Sequence, residues 1–575
     1  MKKTLSLLLA ALLVLGCFAA CTPYGAEEPE KTEAPSVEPG GSAQQGQPAG
    51  SDPAAPQKRT VINVACTDEP TTLDNQSNVD TSNAQHKGHL FEGLITIIAN
   101  TPMPGVAETW DISNDGLVWT FHLRKDAKWW DGQPVTAKDF EYGIKRLVDP
   151  AGPNGSYAWQ GDYLKNGKAV RKGELPVDQL GVYVVDDYTI QLETIYPMPY
   201  LTDIIQCSSF YPTRQDYVEQ YGKEYATSPE TIMGNGPYKL AQWNHEESII
   251  YAKSENYWNK DVVQFETINC YIISDNMTQF NMFEQGELDV LDTVPKESIP
   301  DYDARGISIH MAGATGWFLV YNVSGQRGEQ SKVLGNVNFR KALSYALDRA
   351  TFVEAVRGDG STPLARINAD SLVCNNTTWG EKYPNDVYSD NAELDKAMES
   401  FNKAMEELGM TAEQVPALTL LVDDRAFCKT SAEIIQNLFK TTFGVTVEIN
   451  TVTYKARVDS ENSGDYDMCI TSWAPDYNDA MSHAACFMST DSYNMYFGGY
   501  NNPAYDELIK AADGNTDVEA RAELLKQAED LLLEEMPVVP LYQTSVVWAC
   551  QEGLTGVDKC SFGNISPNWA FATWD

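Results

Sequence analysis

The chain has 575 residues, with 81 acidic against 42 basic side chains and a formal net charge of −39. That excess argues against nucleic acid and anionic membrane surfaces as partners, because both require basic patches. Beyond the leader and linker about 515 residues remain, too many for one hydrophobic core, so two or three lobes are expected.

The first residues read MKKTLSLLLAALLVLGCFAACTPYG. Two lysines lead into an apolar run and then small residues, the pattern of a secretion signal over 1–20. Phe18-Ala19-Ala20-Cys21 resembles a bacterial lipobox, in which the cysteine is lipidated and becomes the new N-terminus. Val14-Leu15-Gly16-Cys17 is a second reading, and plain secretion after a small-residue cleavage site a third. Cys21 is preferred because small residues occupy both positions before it. Residues 21–58 are rich in Pro, Gly, Ser, Ala and Gln, too polar to offset chain entropy by burial, and are expected to be a disordered tether. No later segment is long and apolar enough to cross a bilayer.

Arg59–Ala65 alternates as a strand, and EPTTLDNQ follows as a loop before HLFEGLITI. Asn114-Asp115-Gly116 is turn chemistry. After it Leu117, Trp119, Phe121 and Leu123 alternate with polar partners as a half-buried strand. Thr136 with Asp139 makes a capping-box pattern, and Phe140, Ile144 and Leu147 form a helical face stopped by Pro150. MGNGPYKLAQWNHEESIIYAKSENYWN predicts a Gly-Pro turn and two strands. A helix opens at Asn338 and its apolar positions run to Val353. ALTLLVD, a helix from Ala432 to Thr442, and VTVEINTV alternate as a βαβ unit with parallel pairing. The apolar run MCI precedes TSWAPDYNDA, Thr471–Ala480, as a buried strand that then opens. A helix spans Val518–Glu535, and VVPLYQ returns as a strand. The pattern is α/β throughout.

Catalytic and cofactor motifs are missing. There is no HExxH and no GxSxG, and Gly234-Asn235-Gly236 runs into Pro237, which has no N–H to offer a phosphate. The six histidines are scattered, and Asp386 with Asp390 lacks the rest of a calcium loop. No enzyme activity, metal or cofactor is expected. Of eleven cysteines, Cys17 and Cys21 belong to the leader, which leaves nine without a regular framework. Cys550 and Cys560 are the nearest couple, and buried reduced thiols are the default.

EPTTLD, LFEGL and DGLVWTFHLRKDAKWWDGQPVTAKDF, then GNGPYKL, ENYWNK, FEQGELDV, NFRKALSYALDR, GYNNPAYDELI and EEMPVVPLYQ, together resemble the solute-binding proteins of family 5, the extracytoplasmic receptors of ABC importers for oligopeptides and dipeptides. The resemblance runs from Thr60 to the end. It implies a periplasmic-binding-protein-like two-lobe trap (type II, cluster C) with an extra domain inserted in the first lobe. By this likeness lobe I is 59–104 with 232–320 and 540–575, the extra domain 105–231, and lobe II 321–539. The crossings, near FLVYNV and VVPLY, make a natural hinge. The implied partners are a peptide ligand, the permease and ATPase of the importer, and the membrane through a lipid at Cys21, with the receptor itself a monomer.

In such receptors a tryptophan three residues before an aspartate sits in the cleft, and the aspartate pairs with the peptide α-ammonium. Trp473 and Asp476 hold those positions, and the backbone groups of Ser472 and Ala474 would meet the peptide main chain. The plainer readings are a packed core ring for Trp473 and a helix cap for Asp476. Thr81, with Val79 on the same wall, and Asn322 near the first crossing are further ligand candidates, each also readable as a local turn residue. Ile470 stands where some members carry an arginine for a peptide carboxylate, so carboxyl-end capture is not expected there. The alternatives are a receptor of this fold for an oligosaccharide, a nickel chelate or haem, and a sensor of a signalling peptide.

Overall fold

The structure, a computed structural model, describes residues 59–574 apart from 78–80, 99–100, 154, 156, 375–376, 385–386, 558 and 560–568. The leader and tether, Cys17, Cys21, Val79 and Cys560 therefore lie outside the described residues, and nothing is described of the side chains of 81–84. The chain divides into two units, Met1–Gln57 and Lys58–Asp575, and the fold below is that of the second.

Three sheets organise it. Val61–Cys66 pairs in parallel with Thr267–Ile272, and Ser248–Lys253 and Tyr238–Asn244 extend that sheet antiparallel. A second, fully antiparallel sheet has the order Ala107–Ile112, Val118–Leu123, Thr189–Glu193, Val182–Asp186. Trp119, Phe121 and Leu123 point into its core, as their alternation predicts. The helix Ala137–Val148 follows, opened by the Thr136 N–H donating to the Asp139 carboxylate at 2.7 Å.

The third sheet has seven strands. Its spine is the antiparallel pair Ser308–Tyr321 and Val538–Cys550, the two segments read as crossings. The ladder is irregular between Ala312 and Gly316, then pairs Gly316–Tyr321 with Met468–Trp473 on the other side. Leu418–Asp423 joins in parallel, and Val447–Val452 in parallel beyond it, the expected βαβ pairing.

Two helix boundaries differ from the sequence reading. The run from Asn338 to Val356 is not one helix. It is Val337–Ala346 and Arg349–Val356, broken at Leu347, because Asp348 caps the second by accepting the Thr351 N–H at 2.9 Å. The helix expected from Ala432 starts earlier, at Ala426, and ends at Leu438 in a wider turn. The buried face of Cys428, Ser431, Ala432 and Ile435 begins before the apolar run is obvious in the sequence. Val518–Glu535 is as expected.

The motif residues are tied in pairs across the chain. Asp74 of EPTTLD takes both Arg146 nitrogens at 2.7 Å. Glu92 of LFEGL accepts the Tyr257 hydroxyl at 2.7 Å and the Trp258 indole N–H at 2.6 Å, both from ENYWNK. Arg340 and Arg349 of FRKALSYALDR donate to the carbonyls of Met536 and Pro540, each at 2.9 Å, satisfying backbone at the turn into the last long strand. The eight described cysteines are all buried and free.

Candidate functional site

Met468–Trp473 is an inner strand, and Met468 to Thr471 are fully buried. Leu418–Asp423 stops pairing with it after Cys469, so the next residues emerge from the sheet. Ser472 and Trp473 are half-buried and Ala474 is exposed. Beneath the emerging end lies a buried polar group. The Arg457 guanidinium donates to Glu461 and to Thr471 Oγ1, each at 2.6 Å, and to Asp423 at 3.2 Å. Thr471 Oγ1 also bonds the Tyr496 hydroxyl at 2.6 Å. Burial alone would raise the Asp423 carboxyl, but the Arg425 guanidinium outweighs it and holds it down to about 2.

Above this floor is a cavity of about 790 Å³. Ser472, Trp473, Ala474 and Asp476 all line it. Its other walls are aromatic: Tyr493 and Tyr496 from the same side, and Tyr157, Trp159 and Tyr163 from the segment read as an inserted domain. That segment also touches the opposite wall directly, where the rings of Tyr200 and Tyr477 stack at 4.7 Å. The Trp473 ring meets Tyr493 and Phe497 edge-on at 4.8 and 5.8 Å, and its indole nitrogen is buried without a hydrogen bond among the described residues.

Asp476 is half-buried, and its carboxylate has no cation and no hydrogen-bond donor among the described residues. Burial pushes its carboxyl up to about 6. It caps no helix. The next helix is Met481–Ala484, and the capping contact belongs to Asp479, which accepts the Met481 N–H at 2.8 Å. The Asp476 backbone N–H donates to Ser482 Oγ at 3.0 Å, which fixes the loop.

The other candidates are placed differently. Asn322 is fully buried and away from this lining. Its amide donates to the carbonyls of Gly464 and Tyr466 at 2.9 and 3.0 Å, and its oxygen accepts from Ser324, so it ties its own turn to the segment that leads into Met468–Trp473. Thr81 begins the helix Thr81–Leu90. Val79 lies outside the described residues.

Sequence reasoning missed Tyr157, Trp159, Tyr163, Asp491, Tyr493 and Arg457. No spacing could have found the first three, which lie more than 300 residues before the aspartate they face. Asp491-Ser492-Tyr493 had a local signal, since its aspartate turns back onto the Tyr493 N–H at 2.7 Å.

Residues 101–495 match the model of the family described as bacterial extracellular solute-binding proteins, family 5 Middle. The chain is 32% identical over 516 residues to the oligopeptide-binding protein OppA of Bacillus subtilis, covering 88% of this chain and 92% of that protein. Among solved structures, the murein tripeptide-binding protein MppA in its unliganded open form superposes with a TM-score of 0.77 at 28% identity, over 90% of this chain and 98% of that one. Haemophilus influenzae OppA in complex with RPPGFSPFR gives 0.68 at 27% identity, over 90% and 99%.

Proposed function

We propose that this chain, which belongs to family 5 of the bacterial extracellular solute-binding proteins, captures oligopeptides between two closing lobes and delivers them to the permease and ATPase of an ABC importer. The observation that carries the reading is Asp476, an unpaired carboxylate in a loop that leaves a buried strand, facing an aromatic cavity. A receptor for varied peptides relies on what all peptides share: backbone N–H and C=O groups and a charged amino end. Main-chain pairing beside Ser472 and Ala474 supplies affinity, as in strand addition. The ion pair at Asp476 fixes register. Roomy walls then tolerate different side chains, with water filling the remainder.

Lobe I comprises 59–104, 232–320 and 540–575, with 105–231 inserted and lobe II as 321–539, and the chain crosses between the lobes near FLVYNV and VVPLY. The receptor works as a monomer, without cofactor or chemistry on its ligand. A lipid on Cys21 ties it to the outer face of the cell membrane. Among the described residues no helix is long and apolar enough to cross one.

Calorimetry with trialanine and a mixed peptide library against cello-oligosaccharides tests the ligand class. Binding of free-amino peptides and not of sugars is expected; saturable sugar binding with no peptide response overturns the reading. Cys21→Ser is expected to release the folded protein to the medium, and retention at the membrane would make Cys17 or another group the anchor.

A further inference from the structure

The charges in the cavity do not balance for a ligand with one cation. Two carboxylates line it, Asp476 and Asp491. Asp491 is held from behind, accepting the Tyr493 backbone N–H at 2.7 Å, and it has no ion pair among the described residues. Among the described residues Arg457 is the one guanidinium in the lining, and Glu461 and Asp423 already occupy it. A further polar group of the lining is unused. The Trp473 indole nitrogen is buried and makes no hydrogen bond among the described residues. Beyond Asp491 the space continues into a hollow of about 640 Å³, with Trp159, Tyr163 and Asp491 common to both. The hollow's own lysine, Lys168, is exposed.

A peptide α-ammonium neutralises one carboxylate. Closure over such a ligand leaves the other stripped of water and unpaired, a state that burial penalises strongly. The rings of Trp159 and Tyr163 offer faces that attract a cation, and an alkyl stem packs well along such a wall while its charged head reaches a carboxylate. We propose that the preferred ligands carry a second positive charge, a lysine or arginine side chain near the amino end, whose head meets Asp491 beside Trp159 and Tyr163. This rests on the peptide reading above and deepens it to a substrate class, short basic peptides.

The test is calorimetry at neutral pH on the whole protein with Lys-Ala-Ala and Ala-Lys-Ala, each against the same peptide with norleucine in place of lysine, and with trialanine as reference. At one of the two positions lysine is expected to bind about tenfold more tightly than norleucine. In Asp491→Asn that ratio falls to about one. Asparagine keeps an acceptor for the Tyr493 N–H, so the loop survives. Asp491→Glu retains most of the ratio and separates charge from shape. A lysine-to-norleucine ratio near one in the parent protein, or a ratio unchanged by Asp491→Asn, overturns the inference while trialanine binding leaves the peptide reading standing. If no free-amino peptide binds at all, both fall.

Discussion

Asp476 carries a charge that no described residue pairs, and its consequences can be separated by chemistry. Closing on a peptide removes both the carboxylate and the ammonium from water, and losing one partner of such a buried pair costs about 3–5 kcal/mol. Asp476→Asn keeps the shape and an acceptor, so it is expected to weaken free-amino peptides a hundredfold or so, with an N-acetylated peptide losing far less. The cycle of Asp or Asn against free or blocked amino ends isolates the pair, and a coupling below about 0.5 kcal/mol would assign Asp476 to the surface. The same residue sets a pH dependence. Burial raises its carboxyl to about 6, above the ordinary value of about 4. Only the ionised form pairs with an ammonium, so protons compete with the ligand below that value. Affinity is expected to be flat above pH 7 and about tenfold weaker at pH 5. An affinity that does not change between the two would mean that another group receives the ammonium.

At the scale of elements, the strand Met468–Trp473 delivers the site and the helix Tyr454–Ser463 braces it from below. Arg457 of that helix sits between Asp423 and Glu461 with no more than 1% of any of the three side chains exposed. Arg425 holds Asp423 from its other side, and four charges so placed are stable only as a set. Arg457→Met strands the Glu461 carboxylate, while Asp423 keeps Arg425, and is expected to lower unfolding stability by about 3–5 kcal/mol in urea titrations. Adding Glu461→Leu restores part of it, because an apolar neighbour no longer faces a naked charge. A loss under about 1 kcal/mol for the single change would mean that water reaches the group. The paired motifs act similarly: Asp74 with Arg146, and Glu92 with Tyr257 and Trp258, stitch segments far apart in sequence, so that FEGL and NYWN recur as halves of one contact.

At the scale of the molecule, the segment around Tyr196–Asp203 meets the far wall of the cavity through an acidic seam. Asp203 faces Asp479, with Arg521 gripping Asp479 at 2.7 and 2.9 Å and lying over the Tyr200 ring; Asp513 lies near Asp479 and Arg521, and Cys374 and the hydroxyls of Tyr196 and Tyr200 complete the seam. Burial, and then the Asp479 charge, push Asp203 up to about 8. A carboxylate raised in the folded state contributes stability that is complete below its ordinary value and lost as pH rises through the folded one. The contact is thus firmest in acid and loosens between about pH 4 and 8. Asp203→Asn removes the ionisation, and is expected to raise the melting temperature by about 1 °C or more at pH 8.5 while changing nothing at pH 4. An equal effect at both pH values would exclude charge as the cause.

What this sequence determined by itself was the local and the periodic. Alternation placed Trp119, Phe121 and Leu123 inward, the Thr136–Asp139 spacing opened a helix, and the spacing of Trp473 and Asp476 marked where a buried strand comes out. These rest on neighbours within a few residues, and short-range geometry is written in short-range order. The boundary at Leu347 escaped because a cap competed with a continuous apolar face. Tertiary structure alone decided which residues share the cavity. Tyr163 and Asp491 stand 328 positions apart in the sequence, and only the folding of the chain sets them on one wall. The same folding withheld a cation from Asp476 and Asp491, because Arg457 was drawn down to Glu461 and Asp423 instead. Charge balance in a site is a property of which partners are in reach, and reach is fixed only when the chain has folded.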